Sequence, residues 1–463
     1  MFNHARKRLH LESLEDRRVL AIIVDTLVDE MDGSITDGDV SLRDAVEAAS
    51  DNELIIVDTA GTLSLDLGTL VIRKPLTIIG PGADSLSVEA PHTAISVSDG
   101  DDDSVISVSL SGMTIGNSWT GISTREYLSL TDVHISGNSL VGIRVSTSQG
   151  TIDATRVVIA DNDNGVVVED SVRESTYRFL DSEFLNNAST GFRMGNEAFE
   201  VGGSLQLNRV QIVDSDIDIG NRNSGRINSF YMHESSASNS QMFMKVADLL
   251  VSDSTFFASP FSTRRTTSFD PISRVVLRSH FDGNNQPMNG LSAGGFLVRD
   301  SIFERFDGVA FTGGGGVVSG SIFRENSIAI SASSNFTLEY SEIVDNSMMR
   351  SGGYSDGSGR TRFSPMEYDG GFSGQLIIRS SNFSNNETVV GAAAIVTRAG
   401  THLLVSDTDF EGNVSSGDPS RIAGVLCIEQ NPGRVTIDDV SFENNEVDGS
   451  GGGLVVFNPG EMT

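Results

Sequence analysis

Residues 177–194 run Tyr177-Arg178-Phe179-Leu180-Asp181-Ser182-Glu183-Phe184-Leu185-Asn186-Asn187-Ala188-Ser189-Thr190-Gly191-Phe192-Arg193-Met194, and their alternation decides the fold. Tyr177 and Phe179 point one way and their neighbours the other, as in a strand with one buried face. Ser182 and Phe184 also alternate, but in the opposite parity. A straight strand cannot change parity, because a shift of one residue moves every side chain to the other face. The chain must therefore bend at Asp181. A second bend is expected at Asn187, since Asn tolerates left-handed backbone. Gly191 to Met194 then reads as a third short strand. Three strands and three bends make one coil of a parallel β-helix.

The same pattern recurs along the chain. An apolar anchor followed three residues later by Asn occurs at Ile135/Asn138, Ile159/Asn162, Phe184/Asn187, Phe281/Asn284, Phe323/Asn326, Ile343/Asn346, Phe383/Asn386, Phe410/Asn413 and Phe442/Asn445. Successive Asn residues lie 24, 25, 97, 42, 20, 40, 27 and 32 apart. Most of these are near one, two or four multiples of 20–25, which is a solenoid period. Ile212…Ser215, Phe256…Ser259 and Phe303…Phe306 are degenerate copies. A small residue stands two before most anchors (Ser182, Ser254, Ser279, Ser301, Ser321, Ser341, Ser381, Thr408), and Asp181, Asp253, Asp300, Asp407 and Asp439 mark the first bend. Stacked Asn amides and stacked Phe rings should repeat at the strand spacing of about 4.8 Å.

Composition agrees with an all-β repeat. The 463 residues include 48 Gly, 63 Asp plus Glu and only 32 Lys plus Arg, for a formal net charge of −31. That balance excludes nucleic acid as a natural partner, because phosphate binding needs a basic surface. No stretch approaches the roughly 18 apolar residues of a spanning helix. The single cysteine, Cys427, excludes an internal disulfide and reads as a small core residue.

The N-terminal part reads as a cap, at about 22–60. Ile22-Ile23-Val24 is a strand, and Ser41 with an acid three residues on opens a short helix at 42–50 whose Leu42, Ala45, Val46 and Ala49 share a face. Such a helix can plug the first coil, whose apolar interior would otherwise meet water. Gly38-Asp39-Val40-Ser41-Leu42-Arg43-Asp44-Ala45-Val46, the strand Leu54 to Val57, and Leu76-Thr77-Ile78-Ile79-Gly80-Pro81-Gly82-Ala83 together resemble the opening of bacterial surface β-helix proteins related to chlamydial polymorphic outer-membrane proteins. The Phe-x-x-Asn repeat is also that family's, although Val40 stands where the family has Cys. The resemblance implies an all-β, right-handed, pectin-lyase-like solenoid over residues 22–463, carried on the surface of a cell or outside it.

Residues 1–21 have a basic start (Arg6, Lys7, Arg8), but Glu12, Glu15, Asp16, Arg17 and Arg18 occupy the place of a signal peptide's apolar run. Leu11, Glu12, Leu14, Glu15, Arg17, Val19, Leu20 and Ala21 instead resemble the short motif that opens many large secreted proteins of planctomycete bacteria. That resemblance implies export and says nothing of activity.

The recurrent Phe and Asn are expected to be structural. Three stretches, 216–245, 257–275 and 347–374, break the period and read as projecting loops, where binding usually resides. Two of them gather arginine and aromatic residues: Phe261, Arg264, Arg265 and Phe269, then Arg350, Tyr354, Arg360, Arg362, Phe363 and Tyr368. Guanidinium groups suit carboxylate or sulfate and aromatic rings suit sugar faces, so Arg264, Arg265, Phe269, Arg350, Tyr354, Arg360, Arg362 and Tyr368 are candidate contacts to an acidic polysaccharide or an extracellular matrix. Asp99, Asp101, Asp102 and Asp103 suit calcium but more often form a solvated turn. The seven His offer no pair at metal-ligand spacing, so no metal site is expected, and the sequence assigns no catalytic residue.

Three functions compete. The first is a non-catalytic exported surface protein for adhesion or polysaccharide contact. The second is a polysaccharide lyase or glycosidase, although only Lys7, Lys74 and Lys245 are lysines and no Gly-His-Gly or Arg-Ile-Lys motif of the polygalacturonase type is present. The third is the N-terminal part of a larger surface protein. If residues 1–21 direct export, their deletion leaves the protein inside the producing cell. Unchanged secretion after that deletion, read by fractionation, contradicts the assignment.

Overall fold

The computed structural model describes residues 21–462 except 37, 102, 147–149, 170–174, 196–202, 221–226, 265–273, 349–353, 356–360, 363, 372–373, 390, 399–401, 417–423, 429–432, 449–450 and 457–460. The chain winds into a right-handed parallel β-helix with three strands to a coil. In the coil around Phe184 these are Thr176–Leu180, Glu183–Leu185 and Thr190–Met194. Each pairs in parallel with its counterpart one coil on. The short pair Tyr354–Ser355 with Thr361–Arg362 runs antiparallel.

The anchors form one row through the core. Ile135, Ile159, Phe184, Ile212, Ala237, Phe256, Phe281, Phe303, Phe323, Ile343, Phe383, Phe410 and Phe442 are successive register partners. Where Phe follows Phe the rings stack face to face, at 4.5 Å for Phe256 and Phe281 and 4.7 Å for Phe303 and Phe323. Phe442, in the last coil, is only half-buried.

Both corners beside this row are built from left-handed residues. The first lies three residues before the anchor, at Asp132, Arg156, Asp181, Arg209, Asp253, Arg278, Asp300, Asp407 and Asp439, as the parity change requires. Across coils these residues pair, with Arg156 on Asp132, Arg209 on Asp181 and Arg278 on Asp253, each at 2.6 Å. The second corner corrects an expectation. Its left-handed residue is the one before the Asn: Asp161, Asn186, Glu325, Asp345, Asn385 and Asn444.

The Asn itself turns inward and stacks. Asn326 Nδ2 donates to Asn346 Oδ1 at 3.0 Å, Asn346 to Asn386 at 2.9 Å, and Asn386 to Asn413 at 2.9 Å. Each Oδ1 also accepts the backbone N–H of the previous rung, as from Asn346 to Asn386 at 3.1 Å. The serines two before the anchors do the same on the other side: Ser279 N donates to Ser301 Oγ and Ser301 N to Ser321 Oγ, both at 3.2 Å. Gly at the start of the third strand is demanded by proximity, since a Cβ on Gly165 would lie 2.4 Å from Gly191 O.

Two further expectations change. Within 216–245, Ile217–Ile219 closes the coil of Ile212, and Ile227–His233 and Ser236–Ser238 open the next, ordinary coil. It was hidden because Ala237 fills the anchor position. The 40-residue interval from Asn346 to Asn386 is one coil rather than two, because Ile343 pairs directly with Phe383.

The N-terminal end is closed by β1 (Ile22–Val24), α1 (Leu42–Ala48) and β2 (Glu53–Val57). Ser41 caps α1, its Oγ accepting from Asp44 N at 3.0 Å. Arg43 grips Asp29 and donates to Gly68 O at 2.7 Å, while Asp44 accepts from Gly33 N at 2.9 Å. The Ser-Leu-Arg-Asp motif is thus a clamp that ties the first loop over the buried Leu42, Ala45 and Val46. Residues 1–20 of the export segment lie outside the described residues.

Phe410 sits between two stacked rings, whereas Phe442 has a neighbour on one side. Phe410→Ala is expected to lower stability by about 3–5 kcal/mol, as large buried truncations do. Phe442→Ala should lower it by clearly less in the same urea titration.

Candidate functional site

The buried ladder at the second corner runs Asn138, Asn162, Asn187, Ser215, Ser240, Ser259 and resumes at Asn326. Between them it is interrupted at Asn284 and Phe306. Asn284 is exposed and left-handed, as is Asn285, and the register slips between Asp282 and Gln286. Phe306 is buried and brings no side-chain rung, and only its N–H donates to Asn326 Oδ1, at 3.1 Å. The extra residues make 284–288 a ledge with a cleft on each side. One, of about 350 Å³, is lined by Asp216, Asn239, Gln241, Pro260, Asn284 and Gln286. The other, of about 420 Å³, is lined by Asn285, Asp307, Glu325, Ser327, Asp345 and Ser347.

Beside the ledge, the residues that follow the anchors Phe256, Phe281, Phe303 and Phe323 stack on the outer face. They are Phe257, Asp282, Glu304 and Arg324, successive register partners. Phe257 is 37% exposed, while Asp282 and Glu304 are buried although they face outward. The cover is charged. Arg305 bonds both oxygens of Asp282, with Nε at 3.0 Å from Oδ1. Arg324 Nη2 lies 2.5 Å from Glu304 Oε2, and His280 Nε2 lies 3.0 Å from Glu304 Oε1.

His280, Asp282 and Glu304 thus offer ligand atoms within 4.8 Å of one another. The expectation that no metal-ligating set exists fails in geometry, because coil stacking joins residues far apart in sequence. Arg305 and Arg324 supply the positive charge that the two carboxylates face, so the set is balanced without a cation. Burial alone would raise the Asp282 carboxyl; the Arg305 guanidinium, the Asn284 N–H and nearby His280 outweigh it and hold it below the usual range. What remains is an oriented imidazole. A carboxylate on one ring nitrogen and two guanidinium groups alongside is an arrangement able to move a proton.

The residues singled out from sequence fare unevenly. Tyr368 and Phe261 are core residues, each 1% exposed, and the Tyr368 hydroxyl donates to Ser334 O. Neither can meet a ligand. Arg264 ends the strand Phe261–Arg264, opposite Lys245. Tyr354 and Arg362 are partners in the antiparallel pair. Arg265, Phe269, Arg350 and Arg360 lie outside the described residues. One segment leaves the end of a third strand at Arg264, and the other leaves the second corner at Met348, next to Ser347 of the larger cleft.

The acidic turn is self-satisfied. Asp99 accepts from Ser104 Oγ at 2.5 Å and Asp101 N at 2.8 Å, and Asp101 from Asp103 N at 3.0 Å, while Asp102 lies outside the described residues.

Of the two ion pairs that cover the set of His280, Asp282 and Glu304, that of Arg305 with Asp282 matters more to stability, because its acid is the more buried and its base 39% exposed. Arg305→Met should cost about 2 kcal/mol at neutral pH, between the roughly 0–1 of exposed pairs and the roughly 3–5 of broken buried ones. Since the folded Asp282 titrates below its unfolded value of about 3.9, its contribution is complete above that value and is lost as pH falls through the lower, folded one. Denaturant titrations of both proteins should show a gap at pH 7 that closes under acid. A gap independent of pH contradicts the assignment.

No protein-family model and no curated protein matches the chain. Solved structures do. The PL6 family alginate lyase AlyGC matches at 11% identity over 95% of this chain and 76% of that one, with a TM-score of 0.42. A mannuronic acid specific family 6 lyase from human gut microbiota matches at 11% identity over 79% and 82%, with a TM-score of 0.31. ORF18 of Geobacillus virus E2 matches at 12% identity over 79% of this chain, which spans 63% of the viral protein's length, with a TM-score of 0.29. These likenesses are of fold and carry nothing about activity.

Proposed function

We propose that the protein is an exported β-helix that contacts polysaccharide along its second corner, around the ledge at 284–288. The observation that carries this is the coincidence at one place of the interrupted ladder, the two clefts, the exposed Phe257 and the set of His280 with the buried Asp282 and Glu304. A structural repeat gives up its own satisfied rungs where something other than stability is selected. The clefts present amide, hydroxyl and carboxylate groups, which bind sugar hydroxyls. Asp216 on one side and Asp307, Glu325 and Asp345 on the other repel polyanions, as does the net charge of −31. The geometry therefore favours a neutral chain, and the acidic-glycan reading rests on the arginines at 264, 265, 350, 360 and 362.

A second reading, cleavage of the bound chain, is favoured by the Glu304–His280 pair with its flanking guanidinium groups. Immobilised-glycan binding with product analysis separates the readings. Contact predicts binding of neutral polysaccharide that is insensitive to salt and falls about tenfold, or about 1.4 kcal/mol, in Phe257→Ala. Cleavage predicts shortened products that disappear in His280→Ala. Binding confined to sulfated or uronic-acid chains, and weakened by salt and by Arg362→Ala, moves the contact to the arginine segment. Binding of neither class contradicts the proposal.

A further inference from the structure

Trp119 is the chain's one tryptophan and is 59% exposed on the outside of a rigid coil. It lies at the second corner, toward the N-terminal end from the clefts. Its backbone and one edge of its ring are held by His92. Trp119 N and Thr120 N both donate to His92 O, at 2.9 and 3.1 Å, and the His92 ring meets the indole edge-on at 4.8 Å between centroids. The indole is held by one coil while its remaining surface faces solvent, so little freedom is lost when a ligand settles on it.

The next rungs along the corner continue the feature. Leu140, 43% exposed, is bonded through its N–H to Trp119 O at 3.0 Å, and Asn164 N is bonded to Leu140 O at 3.1 Å. Asp163 thereby follows Leu140 as Leu140 follows Trp119. Its carboxylate is oriented by Ser189 Oγ at 2.6 Å and Asn164 Nδ2 at 2.9 Å. Along the axis, at about 4.8 Å per coil, the surface therefore reads aromatic face, aliphatic side chain, fixed carboxylate. Beyond it the corner leads to Asp216 and Gln241 of the smaller cleft.

We propose that Trp119, Leu140 and Asp163 form a second carbohydrate subsite, taking a neutral pyranose chain that lies along the coil axis. The C–H face of one sugar stacks on the indole, the next rests on Leu140, and hydroxyl groups donate to Asp163. The rise between coils is close to the length of one pyranose residue, so successive sugars meet successive rungs. Asp163 sets the charge preference: a neutral sugar gives it donors, whereas a uronate sets two anions together. This deepens the polysaccharide reading and rests on it, but uses residues remote from the His280 cluster.

The sole indole makes the subsite observable. In the full chain, Trp119 emission is followed during titration with cellohexaose, mannohexaose and laminarihexaose, and with mannuronate hexamer as the acidic comparator. Calorimetry is run in parallel on wild type, Trp119→Ala, Trp119→Phe and Phe257→Ala. A neutral hexamer is expected to shift the emission to saturation. Trp119→Ala should weaken its binding at least tenfold with an unchanged unfolding midpoint, and Trp119→Phe should restore part of it. Binding seen by calorimetry with unchanged emission and full affinity in Trp119→Ala overturns the subsite and leaves the ledge contact standing. Emission that responds to the acidic hexamer alone overturns the charge argument, and emission that changes only with protein concentration makes Trp119 a contact between copies. No binding of any hexamer overturns both the subsite and the broader proposal.

Discussion

The stacking of the coils rests on buried amides that a single coil satisfies only in part. Asn346 at the second corner is sealed from water, and its Nδ2 donates to Val344 O of its own coil but also to Asn386 Oδ1 on one side and Phe323 O on the other. A buried amide left without partners costs more than a made hydrogen bond returns. Each coil is therefore required to sit in one register on the next. The Ser row at the first corner imposes the same demand, and Phe stacking at 4.5–5.0 Å follows from the two rows. The outer ion pairs add little individually, because their side chains are about half exposed.

That constraint explains which parts of the fold were legible in the amino-acid sequence. Phe184, Asp181 and Asn187 announce a coil because each has a distinct physical task at a fixed offset. Ala237 announces nothing, so the coil around it reads in sequence as a loop. The left-handed residue of the second corner lies one position before the Asn that the sequence suggests for it. Asn is favoured there for its backbone freedom, yet at this corner it is needed for its amide, and Asp161, Glu325 or Asp345 takes the strained conformation instead.

The candidate site was less legible still. His280, Asp282, Glu304 and Arg324 belong to three coils, and no local motif joins them. They become neighbours only once the anchors Phe281, Phe303 and Phe323 are aligned, whereupon the residue after each anchor falls into one column. The signal was present in the anchor list, one position to its right. The same stacking accounts for many of the arginines. Arg156, Arg209, Arg278, Arg305, Arg324 and Arg379 all meet carboxylates of adjacent coils, so in this fold an arginine more often answers the protein's own acids than a ligand's.

A ladder of mutually dependent amides must respond to paired substitution differently from independent hydrogen bonds. A double-mutant cycle on Asn346 and Asn386, with Asn346→Ala, Asn386→Ala and the double variant compared by urea denaturation, tests this directly. The ladder predicts that the second substitution costs much less than the first, with a coupling energy of about 1 kcal/mol or more, inside the roughly 0.5–3 seen for residues of one network. Costs that add to within about 0.3–0.5 kcal/mol would show that the rungs act separately and contradict the account.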